Sequence, residues 1–241
     1  MSTASPAPMS SASRRRLALP EMEGRMARWY ARQRGTARGI AEVRREAARL
    51  AASYPQARDV LEVAPGPGYL AIELARLGHF QVTGLDISRT MVEIATGNAR
   101  KSAQTIDFQL GDASAMPFAA GSFDLIVCQA AFKNFRRPVD ALDEMHRVLR
   151  AGGTAVIQDM NRDASNDDIS REVGGMGLNR LNRLFVRLTF LTFLRRRAYS
   201  PARFRSLVAG SAFRACDITA AGIGIEVRLT KPAPAAVAEE K

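Results

Sequence analysis

Between residues 59 and 158 short apolar runs alternate with stretches whose apolar residues recur every three or four positions, and this alternation restricts the fold more than any other feature. Short apolar runs bounded by turn residues read as strands, and amphipathic segments between them as crossover helices. The chain is therefore expected to build βαβ units around a parallel sheet. Strands are predicted at 59–64, 81–85, 105–110, 123–128 and 154–158. The intervening helices run to about Leu77, from Arg89 to about Ala103 with Ser88 as N-cap, and from Pro138 to about Arg150, where Gly152 and Gly153 stop the last and open the fifth strand. Two final strands, about 212–221 and 224–229, are joined by a tight glycine-containing link and read as a hairpin.

Outside this core the pattern changes. Residues 1–20 are rich in Ser, Ala and Pro and read as a disordered tail. Residues 21–54 read as one N-terminal helical lid that no proline interrupts before Pro55. The rest, 55–241, forms one domain, interrupted at about 160–200 by a segment too long for a connector and read as a helical cap. In that cap Leu181, Leu184, Phe185, Leu188, Leu191 and Leu194 sit at helical spacing among Arg180, Arg183 and Arg187.

Composition narrows the classes. No apolar run reaches the roughly 18 residues of a membrane span, and no apolar stretch follows Arg14–Arg16 to make a signal peptide. Cys128 and Cys216 lie far apart, without metal-ligand spacing, so neither a disulfide framework nor a zinc site is indicated and a cytoplasmic protein is expected. The net charge of +11 is unevenly placed: residues 1–50 carry 11 basic against 4 acidic side chains, and residues 171–205 carry 9 against 1. Such segments suit nucleic acid, anionic lipid, an acidic substrate or simply a solvated surface.

The sharpest chemical motif is Glu62-Val63-Ala64-Pro65-Gly66-Pro67-Gly68, at the end of the first strand. Small residues there let the backbone pass close under a ligand, and the next helix offers free N–H donors. The third glycine of a dinucleotide fingerprint is missing. Asp86 follows about 20 residues on, at a strand end, where a carboxylate can accept both hydroxyls of a ribose. Asp112-Ala113 follows the third strand, Gln129 the fourth, and DEMHRVLRAGGTAVIQD spans 143–159.

This ordered series resembles the class I S-adenosyl-L-methionine (SAM)-dependent methyltransferases, and within them the UbiE-like small-molecule group, over roughly residues 55–160; Ala64 departs from the family's first glycine. The resemblance implies a Rossmann-like α/β fold with a seven-stranded sheet in the order 3-2-1-4-5-7-6, strand 7 antiparallel. It implies SAM as cofactor and S-adenosyl-L-homocysteine as product. The turn of Glu62, Ala64, Pro65, Gly66 and Gly68 would hold the amino-acid end, and Asp86 the ribose, with Ile87 and Ser88 beside it. Asp112 and Ala113, with Met116 or Phe118, would take the adenine. Gln129 would meet the methionine part, and Tyr30 would close over the cofactor from the lid.

The same resemblance leaves the reacting groups less defined. Relatives often place histidine shortly after the fourth strand; here the stretch reads QAAFKNF, with Lys133 and Asn134 in that neighbourhood. Asp159, at the end of the fifth strand, is the best candidate base, and capping a loop or helix is the alternative for it. His79 and His146 read as structural, and no metal is expected, because the fourth strand ends without a carboxylate.

The expected activity is methyl transfer to a small apolar or amphipathic acceptor: a quinone-like, lipid-like or secondary metabolite. RNA or DNA methylation is a second class, prompted by the basic segments, but the [D/N]PP[Y/F/W] motif of base-amine enzymes is replaced here by CQAAF and nucleic acid is not the expected partner. A non-catalytic SAM-binding regulator is a third. The cap is expected to line a substrate pocket, form a homodimer face or rest peripherally on a membrane.

Overall fold

The computed structural model of the chain describes residues 22–176 and 180–233, apart from the side chains of Leu181 and Phe193; the tail of 1–20 lies outside the described residues. The strands β1 (Asp59–Val63), β2 (Gln81–Asp86), β3 (Asp107–Leu110), β4 (Phe123–Gln129), β5 (Leu149–Met160), β6 (Asp217–Ala221) and β7 (Gly224–Thr230) form one sheet. Their order is β3-β2-β1-β4-β5-β7-β6, as expected. Neighbours run parallel from β3 to β5, and β7 lies antiparallel to both β5 and β6. Chain order reverses at β1, so a crevice opens beyond its carboxyl end.

Helices sit on both faces. In chain order they are α1 (Gly24–Arg34), α2 (Ala37–Ser53), α3 (Tyr69–Arg76), α4 (Arg89–Lys101), α5 (Pro138–Val148), α6 (Asn166–Gly175), α7 (Arg180–Thr189), the single turn α8 (Arg195–Arg197) and α9 (Pro201–Ala209). One face buries Val43, Leu50, Leu70, Leu74 and Ala95 of α2, α3 and α4; the other buries Leu142, Met145, Phe204 and Val208 of α5 and α9. β4 shows why the strands read as unbroken apolar runs. Leu125 and Val127 enter the first cluster while Ile126 and Cys128 enter the second.

Several boundaries differ from the sequence reading. The expected single helix over 21–54 is two. Gly35 N–H closes α1 on Ala31 O at 2.9 Å, and the Thr36 hydroxyl accepts from Gly39 N–H at 3.2 Å to start α2. A side-chain cap thus competed successfully with helix continuation, and a Cβ on Gly35 would collide with the Tyr69 hydroxyl. β5 begins at Leu149, before Gly152 and Gly153, because a register shift between Phe123 and Leu125 lets Leu149 pair with Phe123. β6 begins only at Asp217; upstream, Ala212 N–H donates to Asp143 Oδ1 at 2.7 Å, which holds that segment in a turn. β3 is also shorter at its start, opening at Asp107.

The cap is helical. Ser165 and Asp168 form a capping box at the start of α6. Ile169 and Val173 of α6 are buried against Val186, Phe190 and Leu191, which belong to α7 and the π turn Phe190–Leu194. The apolar stripe of the sequence is therefore split: Leu191 packs inward, while Leu184, Phe185 and Leu188 are exposed.

Gly68 is the tightest junction beneath the site. It caps α3 at φ +76°, and a Cβ there would stand 2.8 Å from Phe108 Cζ and 2.9 Å from Ala95 Cβ. Gly68→Ala is expected to destabilise the protein by about 2–3 kcal/mol, from left-handed backbone strain plus overpacking. A urea midpoint equal to wild type would show that α3 and α4 can part freely.

Candidate functional site

The carboxyl ends of β1, β2, β3 and β4 border a cavity of about 280 Å³, which Met22, Tyr30 and Arg34 of the N-terminal segment also line. Its floor is the turn after β1. Ala64 and Gly66 hold φ +57° and +55°, and Ala64 N–H donates to Leu85 O at 2.8 Å, tying the turn to β2. Ala64 therefore keeps the left-handed geometry that glycine adopts more cheaply. A Cβ built on Gly66 meets only Tyr30 Cε1, at 3.9 Å. The space above that glycine is a cradle for a ligand.

Two carboxylates stand beside the turn. Asp86 accepts from Gly66 N–H at 3.0 Å on one oxygen and from Ser88 N–H at 2.9 Å on the other. Burial raises its pKa, although these N–H bonds pull the opposite way. Glu62 is fully enclosed. Its Oε2 has no hydrogen-bond partner among the described residues, and burial, with the Asp86 charge adding and the Ala71 N–H opposing, pushes its pKa up to about 8. A buried acceptor facing a cavity without a partner is the signature of a site made for a donor, here a cationic or N–H-bearing group. On the far side Asp112 accepts from the Ser114 N–H and hydroxyl at 2.9 and 2.6 Å and from Arg137 at 3.2 Å. Burial opposes ionisation there, but these bonds outweigh it and keep the carboxyl below its usual range.

The N-terminal segment is fastened over this edge. Ser88 Oγ donates to Met22 O at 2.8 Å, Gly24 N–H donates to Thr90 Oγ1 at 3.0 Å, and Glu23 accepts from the Thr90 N–H at 3.1 Å and from its hydroxyl. Ser88 also caps α4, accepting from Met91 N–H.

Of the residues singled out from sequence, Tyr30, Glu62, Ala64, Pro65, Gly66, Asp86, Ile87, Ser88, Asp112, Ala113, Gln129 and Asn134 line this one cavity. Gly68 does not; it packs under the turn. Met116 is buried, its N–H on Glu144 at 2.7 Å, and Phe118 packs edge-on against Phe123, so neither reaches the cavity. Lys133 and Asp159 are not lining residues either. They form a buried ion pair at 2.7 Å; Asp159 Oδ2 also accepts from Lys133 N–H, and Oδ1 from Met160 N–H. Both oxygens of the candidate base are thus engaged in holding the β4–α5 loop. Sequence reasoning missed Met22, Arg34, Phe135, Arg136 and Arg137. Arg34 lies one helical turn beyond Tyr30, a spacing that could have flagged it. Among the described residues no three His, Cys, Asp or Glu side chains converge as a metal site requires.

Residues 61–157 match the methyltransferase domain family. That stretch, less than half of the chain, is what resembles the family's domain. Demethylmenaquinone methyltransferase of Deinococcus radiodurans is 37% identical over 122 residues, 50% of this chain and 51% of that protein. The ubiquinone/menaquinone biosynthesis C-methyltransferase UbiE of Geotalea uraniireducens is 36% identical over 108 residues, 43% and 46% of the two chains. The chain spans about half the length of the curated relatives it matches. Among solved structures, one described as a SAM-dependent methyltransferase from Methanococcus maripaludis superposes with a TM-score of 0.73 at 20% identity, covering 95% of this chain and all of that one. The plantazolicin methyltransferase bound to S-adenosyl-L-homocysteine gives 0.62 at 15% identity over 86% and 90%. At these identities the likeness is one of fold.

Proposed function

We propose that this chain transfers the methyl group of SAM to a small apolar or amphipathic acceptor, of which a quinone-like ring is the type the curated relatives' names favour. The observation that carries the reading is the convergence of Glu62, Gly66, Asp86 and Asp112, from three strand tips, on one cavity. The residues fit the cofactor. Asp86 keeps free lone pairs for a vicinal diol, the unpartnered Glu62 oxygen suits an ammonium, and Ile87, an exposed apolar side chain inside the cavity, offers a surface to a purine.

SAM supplies a methyl group already activated on a sulfonium. The protein's share is to bind, orient and keep water out. Ala131 and Phe135 give the acceptor side of the cavity apolar walls, and Asn134, the one catalytic candidate that reaches it, is placed to orient an acceptor by hydrogen bonding. Tyr30 and Met22, held by the strap to α4, cover the site from above.

Asp86→Ala is expected to weaken SAM binding by about 1–3 kcal/mol, the range for losing a hydrogen-bonded charged partner. Calorimetric titration of a folded variant is the check, and an unchanged affinity would remove Asp86 from the binding site and with it the reading above.

A further inference from the structure

Two exposed apolar faces are left over by the fold, and both belong to strongly basic helices. On α7, Leu184, Phe185 and Leu188 are 56%, 71% and 51% exposed. On α1, Met26 and Trp29 are 63% and 53% exposed. Leu184, Phe185 and Leu188 lie on one arc of α7, while Val186 faces the α6 side. Exposed Arg180 and Arg187 border that arc, and the triplet Arg195–Arg197 follows it. On α1 the apolar pair is interleaved with Arg25, Arg28 and Arg32.

The fold brings both helices to the same end of the sheet. α1 lines the cavity through Tyr30 and Arg34. The cap leaves from the carboxyl end of β5, beside that cavity, and Arg38, at the start of α2, donates to Gly175 O at the end of α6.

We propose that α7 docks this domain on an anionic lipid surface, its apolar arc in the acyl boundary and its arginines among the headgroups, with the basic, apolar face of α1 as a second contact. Charge selects this occupant. A second copy would bring a segment with nine basic and one acidic side chains against its like, and nucleic acid offers no apolar layer for Leu184, Phe185 and Leu188. No helix among the described residues is long and apolar enough to cross a membrane, so the contact is peripheral. Docking at this end would set the cavity against the phase in which an apolar acceptor dissolves. The proposal itself does not depend on methyl transfer.

The test is co-sedimentation of the full chain with phosphatidylcholine vesicles, with and without phosphatidylglycerol. Partition onto the anionic vesicles alone, released by salt, is expected. Phe185→Glu with Leu188→Glu should reduce it at least about tenfold, from the loss of two buried apolar side chains. Arg180→Gln and Arg187→Gln should each reduce it roughly fivefold. Thermal unfolding and SAM affinity of all variants should match wild type, which separates docking from the methyl-transfer reading. Equal binding to neutral vesicles, no vesicle binding, salt-sensitive binding to RNA that the glutamate variants retain, or a dimer that those variants dissolve without any lipid binding would each overturn it.

Discussion

Asp159→Ala is expected to lower the unfolding free energy by about 3–5 kcal/mol, because it breaks a buried ion pair by removing the carboxylate that holds the Lys133 ammonium. The carboxylate does three things at once: it pairs with Lys133 Nζ at 2.7 Å, accepts Lys133 N–H at 2.9 Å and accepts Met160 N–H at 2.7 Å. Lys133 Nζ also donates to Ala130 O, across a turn in which Ala130 holds φ +55°. The pair therefore pins the loop that carries Gln129, Ala131, Asn134 and Phe135 into the cavity, and SAM affinity should fall along with stability. Urea unfolding checks the first effect and calorimetry the second. The double variant Lys133→Met, Asp159→Leu should regain most of the lost stability, since it removes both buried charges together. A single variant within 1 kcal/mol of wild type, yet inactive, would return Asp159 to the part of a general base.

Stability of the ligand-free protein should also fall as pH rises from about 5 to 8, through Glu62 alone by on the order of 3–5 kcal/mol. The ordinary carboxyl value is 4.5, and burial lifts Glu62 to about 8 in the folded chain. Between those values the native state holds a proton that the unfolded state has released. The contribution is fully present below 4.5, declines with rising pH and is gone above about 8. Glu62→Gln, isosteric and neutral, should abolish this share of the pH dependence, so the difference in unfolding free energy between wild type and variant should widen steadily towards pH 8. A difference independent of pH would mean that Glu62 is ionised in the apo protein. A ligand bringing an ammonium to Oε2 would draw the pKa back down, and its binding near pH 7 should release a proton, read as a dependence of the calorimetric heat on buffer ionisation enthalpy.

Much of this architecture was legible before any coordinates. The apolar runs at 60–63 and 125–128 and the glycine turn after the first are local signals: period, turn chemistry and capping act over a few residues. The strand-tip rule then located Asp86, Asp112 and Gln129 at one edge. Less local features were harder to read. The break at Gly35 and Thr36 depends on Tyr69 packing against that glycine, and the early start of β5 depends on pairing with Phe123. Arg136 and Arg137 carry no pattern, and they join the cavity because the loop pinned by Lys133 turns them there.

Asp159 shows where that boundary falls. Its position at a strand end was decided by local pattern, and so were the αβ alternation, the sheet order through the family resemblance and the carboxylates at the strand tips. Whether its oxygens face a ligand or a lysine, whether Glu62 has a partner, and which half of the cap's leucine stripe meets solvent were decided only in three dimensions. The reason is range. Secondary structure answers to neighbours along the chain, whereas burial, ion pairing and exposure answer to residues such as Lys133 and Asp159, 26 positions apart in sequence and in direct contact in space.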